Sequence, residues 1–178
     1  EPAIREKAVE KIKAVSEGQN EAYFTNAYLN MIKRLALWDN YPSRVSACYL
    51  FSLCYKYIPE NEKVEIRQLY SELAHDDTPM VRRAAAANIK NMVNAVEEQY
   101  VKSEIIPIFS ALIRDDIDSV KINALENSTY LIPFYTKQEI VDNLIPLIKN
   151  VDPERRSWRV RYALGEILTN FCNSVGKL

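Results

Sequence analysis

The chain has 178 residues, of which 48% are hydrophobic and 26% are charged, so it is long enough to bury a sizeable core. It carries 23 Lys and Arg against 24 Asp and Glu, and the resulting formal charge of -1 argues against binding nucleic acid by bulk charge. With 3 glycines, 1 histidine and no apolar run of membrane-spanning length, it also lacks the residues for a glycine-rich phosphate loop, a histidine-based metal cluster or a transmembrane helix.

A short pattern recurs along the chain at a nearly constant interval. A basic residue stands at 5, 44, 82, 121 and 161, which gives steps of 39, 38, 39 and 40 residues. Three residues later comes an alanine in the first four copies and a leucine in the last. In the three middle copies an aspartate precedes the basic residue by five positions. A fixed period of this length is the signature of a repeat protein.

Apolar residues at helical spacing on both sides of each basic residue predict two helices per repeat. No sustained period-two alternation occurs, so no strand is predicted. Paired helices at about 40 residues are typical of HEAT and armadillo arrays, and the scarcity of glycine favours HEAT. We therefore predict an all-α fold, an α-α superhelix (HEAT-repeat solenoid), as one array over 1–178. Its predicted elements, in chain order, are a lone second helix at 2–17 and full repeats at 21–58, 60–98, 99–135 and 137–175.

Because the pattern begins inside a repeat, we expect the chain to be a slice of a longer solenoid. Prolines mark two features of the predicted helices. Thr78-Pro79 reads as an N-cap followed by proline at the first helical position. Pro107 and Pro146 fall inside predicted first helices, 39 residues apart, and this periodicity predicts a kink in every first helix.

The loops inside the repeats are expected to line up along one edge of such an array. They combine acidic groups, basic groups and large apolar side chains, a mixture that suits a protein partner with aromatic and arginine anchors. Arg83 and Arg159 are not required by the repeat and are candidate partner contacts. Trp158 stands at a junction, where a partner anchor and a cover for the core are both open.

The periodic charged residues have a structural interpretation. Aspartates near helix N-termini can satisfy free amides, and the basic residue five positions later can pair with an aspartate of the adjacent repeat. This predicts a structural ladder, to which Asp77 is an additional candidate. Its predicted members are Asp39, Arg44, Arg82, Asp116, Lys121 and Arg161.

Catalysis and metal binding find little support. Cys48, Cys54 and Cys172 form no CxxC pair, and we expect packed, reduced thiols in a cytosolic or nuclear protein. His75 is followed by Asp76, but adjacent residues in a turn rarely face one substrate. The acidic run at 115–118 lacks the glycine and the distal glutamate of a calcium loop. We predict no enzyme activity, no cofactor and no metal site.

Four runs of sequence resemble one family in particular. They are DDTPMVRRAAA at 76–86, VKSEIIP at 101–107, SRVSACYLFSLCY at 43–55 and SWRVRY at 157–162. These runs are similar to the 65 kDa regulatory (scaffold) A subunit of serine/threonine protein phosphatase 2A, and the resemblance extends along the whole chain. Asn30 departs from the pattern, since the family has a proline there, and Asn40-Tyr41 replaces a tryptophan and a phenylalanine.

The resemblance implies a non-catalytic scaffold, with this chain inside the N-terminal half. It implies that regulatory B subunits bind these loops and that the catalytic subunit binds C-terminal repeats absent here. No nucleic acid, membrane or small-molecule substrate is expected, and the expected location is the cytoplasm, with the nucleus open. The implied partner-binding residues are Asp77, Pro79, Met80, Arg83, Ser119, Ser157, Trp158 and Arg159.

Two alternatives are kept. One is another HEAT adaptor such as a nuclear-import carrier, which the balanced charge disfavours because such carriers often have acidic inner surfaces. The other is a hydrolase with Cys54 or Cys172 as its nucleophile. The B-subunit family, the phosphatase substrates, the curvature and the oligomeric state do not follow from the sequence.

Overall fold

The computed structural model describes residues 2–154 and 156–175. Within these two ranges the chain is helical and contains no strand, so the prediction of an all-α fold is confirmed. No helix in the described ranges is both long and apolar enough to cross a membrane. The chain folds as two compact units, Glu1–Val96 (unit 1) and Glu97–Leu178 (unit 2), and the single array over 1–178 stays a prediction.

Unit 1 holds a first helix followed by two helix pairs. The first pair continues through a π-helical turn in its first helix and ends in a 3-10 turn. The elements are α1 (Pro2–Ser16), α2 (Glu21–Tyr23), the π turn Phe24–Tyr28, α3 (Leu29–Ala36), α4 (Tyr41–Cys48), α5 (Phe51–Cys54), the 3-10 turn Tyr55–Tyr57, α6 (Glu60–Ala74), α7 (Pro79–Ala87) and α8 (Ile89–Ala95).

Unit 2 holds two further pairs, each with a π-helical turn in its first helix. The elements are α9 (Glu98–Tyr100), the π turn Val101–Ile105, α10 (Ile106–Leu112), α11 (Asp118–Asn127), the 3-10 helix Ser128–Phe134, α12 (Lys137–Glu139), the π turn Ile140–Leu144, α13 (Ile145–Lys149) and α14 (Trp158–Val175).

Local sequence explains where several helices begin. Thr78 is extended and Pro79 follows as the first helical residue of α7, as the Thr-Pro pair predicted. Asn20 accepts a hydrogen bond from the Tyr23 amide at the start of α2. Thr136 begins α12 with a full capping box, in which its hydroxyl and the Glu139 carboxylate each accept from the other residue's backbone amide.

The π turns modify the prediction of a kink in every first helix. The residue before each of these prolines donates its backbone amide to the carbonyl five residues earlier. Ile106, before Pro107, donates to Val101, and Ile145, before Pro146, donates to Ile140. Because proline has no amide to donate, a widened turn ahead of it relieves the helix of the missing bond. The prediction is wrong for α6, which runs regularly over Glu60–Ala74.

The first pair shows that proline is not required for the wide turn. Leu29 donates to the Phe24 carbonyl across five residues although Asn30 occupies the proline position. The Asn30 side-chain amide donates to the Asn26 carbonyl at 3.1 Å. A side chain thereby supplies a bond to a carbonyl that a regular backbone turn would otherwise use.

In unit 1, the second helices of successive pairs pack against one another, and α4 and α7 also pack against the first helix of their own pair. The second helices α1, α4 and α7 pack in sequence, and the first helices α3 and α6 pack alongside. The buried Phe24 and the half-buried Tyr57 stack with ring centroids 4.4 Å apart. The buried Tyr70 hydroxyl donates to the Ala85 carbonyl at 2.8 Å and ties α6 to α7. In unit 2, α11 and α14 pack in the same manner.

Candidate protein-binding loops

Each unit presents two loops that join the first helix of a pair to the second. In unit 1 these are loop 1 (37–40) and loop 2 (75–78). In unit 2 they are loop 3 (113–117) and loop 4 (150–157), of which residue 155 lies outside the described residues. Most of the site residues predicted from the sequence lie in these loops or in the first turns of the helices that follow them.

Arg44 on α4 connects loop 1 to loop 2. Its Nε and Nη2 atoms donate to the two carboxylate oxygens of Asp76 at 2.7 and 3.2 Å. Its Nη1 donates to the backbone carbonyls of Trp38 at 2.9 Å and Asp39 at 2.8 Å. The two side chains of the ion pair are only 18% and 10% exposed, so the pair is sheltered from solvent. The arginine therefore holds two successive loops in a fixed arrangement.

Arg82 makes the same backbone contacts one repeat later. Its Nη1 donates to the carbonyls of Asp76 at 2.8 Å and Asp77 at 3.2 Å. In loops 1 and 2, the repeated spacing of aspartate and basic residue thus reflects a backbone clamp inside the loop. Asp39 and Asp77 contribute carbonyl oxygens to it, while both residues remain exposed.

Asp76 is the carboxylate at the centre of this arrangement, and the repeat pattern did not indicate it. Its Oδ1 also accepts from the Thr78 amide at 2.8 Å. Partial burial acts to raise the pKa of Asp76, but the bonds from Arg44 and Thr78 outweigh it, so the pKa lies below its usual range. The signal that could have identified Asp76 is its spacing of two residues before Thr78, which is typical of an aspartate turn at a helix start.

Large apolar side chains project from loops 1 and 2 and the turns that follow them. Trp38 is 52% exposed and Met80 is 49% exposed, and Leu37 and Tyr41 are exposed as well. Exposed apolar side chains clustered beside charged groups are typical of protein interfaces. We call the four residues the unit 1 apolar cluster. Only Met80 among them was predicted from the sequence to bind a partner, although the other three lie in or next to loop 1.

The remaining predicted residues of loop 2 surround Met80. Asp77 and Arg83 are exposed, and Pro79 is half-buried at the start of α7. Arg83 lies one position beyond Arg82, and its side chain is exposed. Loop 2 and the start of α7 therefore combine an acidic, an apolar and a basic group within seven residues.

Loop 4 in unit 2 is organised by Asp152. Its carboxylate accepts from the amides of Arg156 at 3.0 Å and Ser157 at 3.1 Å, and from Arg161 Nη1 at 3.4 Å. The contact with Arg161 lies within the same helix pair, and the structural ladder to an adjacent repeat stays a prediction for this residue. The physical reason is the longer loop, which turns back and places Asp152 over the first turn of α14.

Loops 3 and 4 border a cavity of about 490 Å³, with charged groups of both signs in its wall. Lys121, Asp116 and Ser157 are among the lining residues, so these three predicted residues come together. Ser119 lies beside them on α11, half-buried, and its carbonyl accepts from the Asn123 side chain at 2.7 Å. Asp116 is exposed, whereas Asp115 holds the loop by accepting from the Ile117 amide at 2.9 Å.

Trp158 and Arg159 begin α14 at the end of loop 4. The Trp158 side chain is 66% exposed, which favours a partner anchor over a cover for the core. The Arg159 guanidinium lies 5.7 Å from the centre of the Trp158 ring, a cation-π distance. The Ser157 hydroxyl accepts from the Val160 amide at 3.3 Å and caps the helix. The capped helix end therefore presents an aromatic ring and a cation together.

The residues considered for catalysis have other roles. Cys48 and Cys54 are buried, and burial raises the pKa of both thiols, that of Cys54 to about 12. A thiol in this environment is a poor nucleophile at neutral pH, which argues against Cys54 as a catalytic residue. Cys172 is exposed, contrary to the expectation of a packed thiol. The His75 ring contacts the Ser71 carbonyl at 2.8 Å. The described residues contain no acidic, cysteine and histidine cluster suited to a metal ion.

Comparisons with known proteins give both the fold and the sequence relatives. A crystal structure of Cex1p aligns with 98% of the chain at a TM-score of 0.75 and 12% identity, and the chain covers 33% of it. At that identity the likeness concerns the fold alone, and it supports the predicted α-α superhelix. No family model matches the chain.

Three sequence relatives carry related names. The human serine/threonine-protein phosphatase 2A 65 kDa regulatory A subunit, beta isoform, is 41% identical over 97 residues, or 54% of this chain and 16% of the relative. Its Arabidopsis thaliana alpha isoform is 38% identical over 106 residues, or 60% of this chain and 18% of the relative. The protein phosphatase 2A scaffold subunit of Dictyostelium discoideum matches with the same identity, length and coverage.

These matches define how far the predicted resemblance extends. The chain spans less than a fifth of the length of these relatives, and the alignments cover 54% to 60% of the chain rather than its whole length. The resemblance itself is confirmed by relatives from an animal, a plant and an amoeba. The sequence of this all-α chain is therefore similar, over more than half its length, to the 65 kDa regulatory (scaffold) A subunit of serine/threonine protein phosphatase 2A.

Proposed function

We propose that the chain is part of a non-catalytic scaffold of a protein phosphatase 2A holoenzyme. In this proposal it binds a regulatory B subunit through loops 1 to 4 and positions it relative to the catalytic subunit. The catalytic subunit would bind other repeats, outside this chain. The observation that carries the proposal is the exposure of the unit 1 apolar cluster, next to loops whose backbone Arg44 holds, in a chain similar to named scaffold subunits.

The mechanism we propose is geometric. Loops 1 and 2 are short and their backbone carbonyls are held by arginines of the following helices, so little conformational freedom is lost there when a partner binds. The exposed Met80 and Trp158 would enter apolar pockets of the partner, and Arg83 and Arg159 would pair with its acidic groups. Action in the cytoplasm is part of the same proposal.

The test is a binding titration in which the parent chain and three variants are each mixed with a purified regulatory B subunit. Met80→Ala, Arg83→Glu and Trp158→Ala should each weaken binding about tenfold, because each removes one anchor. Val64→Ala is the matched control, since Val64 on α6 is 51% exposed, much like Met80, but lies away from the loops. Equal affinities for the parent and all three loop variants would refute the proposal, provided that their helical content is unchanged.

A further inference from the structure

A second polar site lies in unit 1, away from loops 1 and 2. It is a cleft of about 480 Å³ where the C-terminal parts of α1, α5 and α8 meet. Its volume is within the range of about 300 to 1,000 Å³ that is typical of ligand-binding clefts. Most of the side chains along its wall are polar. They include Lys13, Lys56, Ser52, Asn91 and Asn94.

The two lysines of this cleft lack a carboxylate partner. Among the described residues, neither Lys13 nor Lys56 forms an ion pair, and the ammonium groups instead lie over tyrosine rings. Lys13 is 5.6 Å from the centre of the Tyr49 ring, and Lys56 is 4.7 Å from the centre of the Tyr57 ring. Lys13 is half-buried, and burial lowers its pKa. A cation that is partly withdrawn from water without a counter-ion is stabilised by any anion that reaches it.

The amide side chains in the wall can bind a peptide backbone. The Asn94 side chain is exposed and, within the described part of the chain, it makes no hydrogen bond. Asn91, one helical turn earlier, donates to the Asn88 side-chain oxygen at 2.9 Å, which leaves its own oxygen available to accept. A carboxamide both donates and accepts, as a peptide unit does, so successive asparagines on one helix face match an extended chain.

Helix dipoles explain only part of this arrangement. A lysine near a helix C-terminus is favoured by the helix dipole, and this alone could place Lys13 or Lys56 where it stands. The helix dipole does not explain why two lysines from different helices lie around one cleft whose asparagine side chains can still form hydrogen bonds. Glu17 is the one acidic side chain among the lining residues described, so the cations outnumber it by two to one.

We propose that this cleft binds an extended acidic peptide segment of a protein partner. The lysines would pair with its carboxylates, and Asn91, Asn94 and Ser52 would bond its backbone. The site is separate from the loops of the proposed function, and its test does not depend on a regulatory subunit.

The experiment is fluorescence anisotropy at low salt with a labelled eight-residue peptide of alternating Glu and Ser. We expect saturable binding that weakens about fivefold in Lys13→Gln, about fivefold in Lys56→Gln and about twentyfold in the double variant. Lys11→Gln is the matched control, because Lys11 is an exposed lysine on α1 that does not line the cleft. Its affinity should equal that of the parent. Asn94→Asp supplies a second variant, which should repel the peptide.

Several results would overturn this inference. They are the absence of saturable binding, an equal loss in Lys11→Gln, and equal binding of a peptide in which Lys replaces Glu. Stronger binding of a single-stranded oligonucleotide of the same charge would assign the cleft to another class of ligand and would also overturn it. Circular dichroism of each variant separates lost binding from lost folding.

Discussion

Removing the ion pair between Arg44 and Asp76 should lower the stability of the protein more than removing an exposed pair. Arg44→Ala deletes two charge-assisted bonds to a carboxylate that is only 10% exposed and leaves that carboxylate without its cation. Bonds of this kind contribute about 1.5 to 3 kcal/mol when a partner is removed, so we expect a loss of about 2 to 3 kcal/mol in the free energy of unfolding. Asp76→Asn keeps the shape and should cost about 1 to 2 kcal/mol.

The assay is urea denaturation followed by circular dichroism at pH 7, with both single variants and the double variant. Because the two residues are in direct contact, the double-mutant cycle should give a coupling of about 1 kcal/mol or more. Glu10→Gln is the control, since it breaks the exposed pair between Lys7 and Glu10 on α1 and should cost about 0.5 kcal/mol or less. A loss in Asp76→Asn no larger than in Glu10→Gln would refute the role assigned to the clamp.

The same pair predicts a pH dependence. The pKa of Asp76 in the folded state is lower than in the unfolded state, where it is about 3.9. Its contribution is therefore present above about pH 4 and is lost as the pH falls through the folded-state pKa. The stability difference between the parent and Asp76→Asn should shrink as the pH is lowered from 5 towards 2. A difference that stays constant over this range would contradict the assignment.

The remaining predictions concern individual glycine, tyrosine and cysteine residues. Gly18→Ala should destabilise the protein by about 1 kcal/mol, because Gly18 has a φ of 78°, which L side chains rarely adopt. Gly165→Ala should stabilise it by up to about 1 kcal/mol, because Gly165 lies inside α14 and an added Cβ would meet no atom within 4 Å. Urea denaturation measures both changes. Tyr70→Phe should cost about 1 kcal/mol in the same assay, because the buried hydroxyl loses its bond to Ala85. A thiol reagent at pH 7.5 should label the exposed Cys172 rapidly and the two buried thiols slowly, and three equal labelling rates would contradict the burial described here.

The sequence was sufficient to predict the helical fold but not the turns inside the helices. Apolar spacing and the recurring basic residue predicted helices where the structure has them, because burial of one helix face leaves a strong pattern. The wide turn before Asn30 could not be predicted from a proline, since Asn30 stands at that position. α6 runs regularly over Glu60–Ala74, although the period of the prolines predicted a kink in it.

The loops were predicted in outline, with errors in the roles of individual residues. The aspartates five residues before Arg44 and Arg82 resembled ionic partners, but the clamp uses their carbonyls, which every residue type possesses. The actual carboxylate is Asp76, and its spacing of two residues before Thr78 is the signal that would have distinguished it from Asp77. The exposure of the Trp38 side chain could not be predicted from the sequence either, because an aromatic residue in a loop can equally cover the core.

The most direct test of the proposed scaffold role is a pull-down from a eukaryotic lysate, with bound proteins identified by mass spectrometry. The parent chain is compared with a variant carrying both Met80→Ala and Trp158→Ala. We expect the parent chain to capture a regulatory B subunit and to make no direct contact with a catalytic subunit. We expect the double variant to capture no B subunit. Capture of basic transport cargo in place of a B subunit, or equal capture of the B subunit by both chains, would contradict the proposed role.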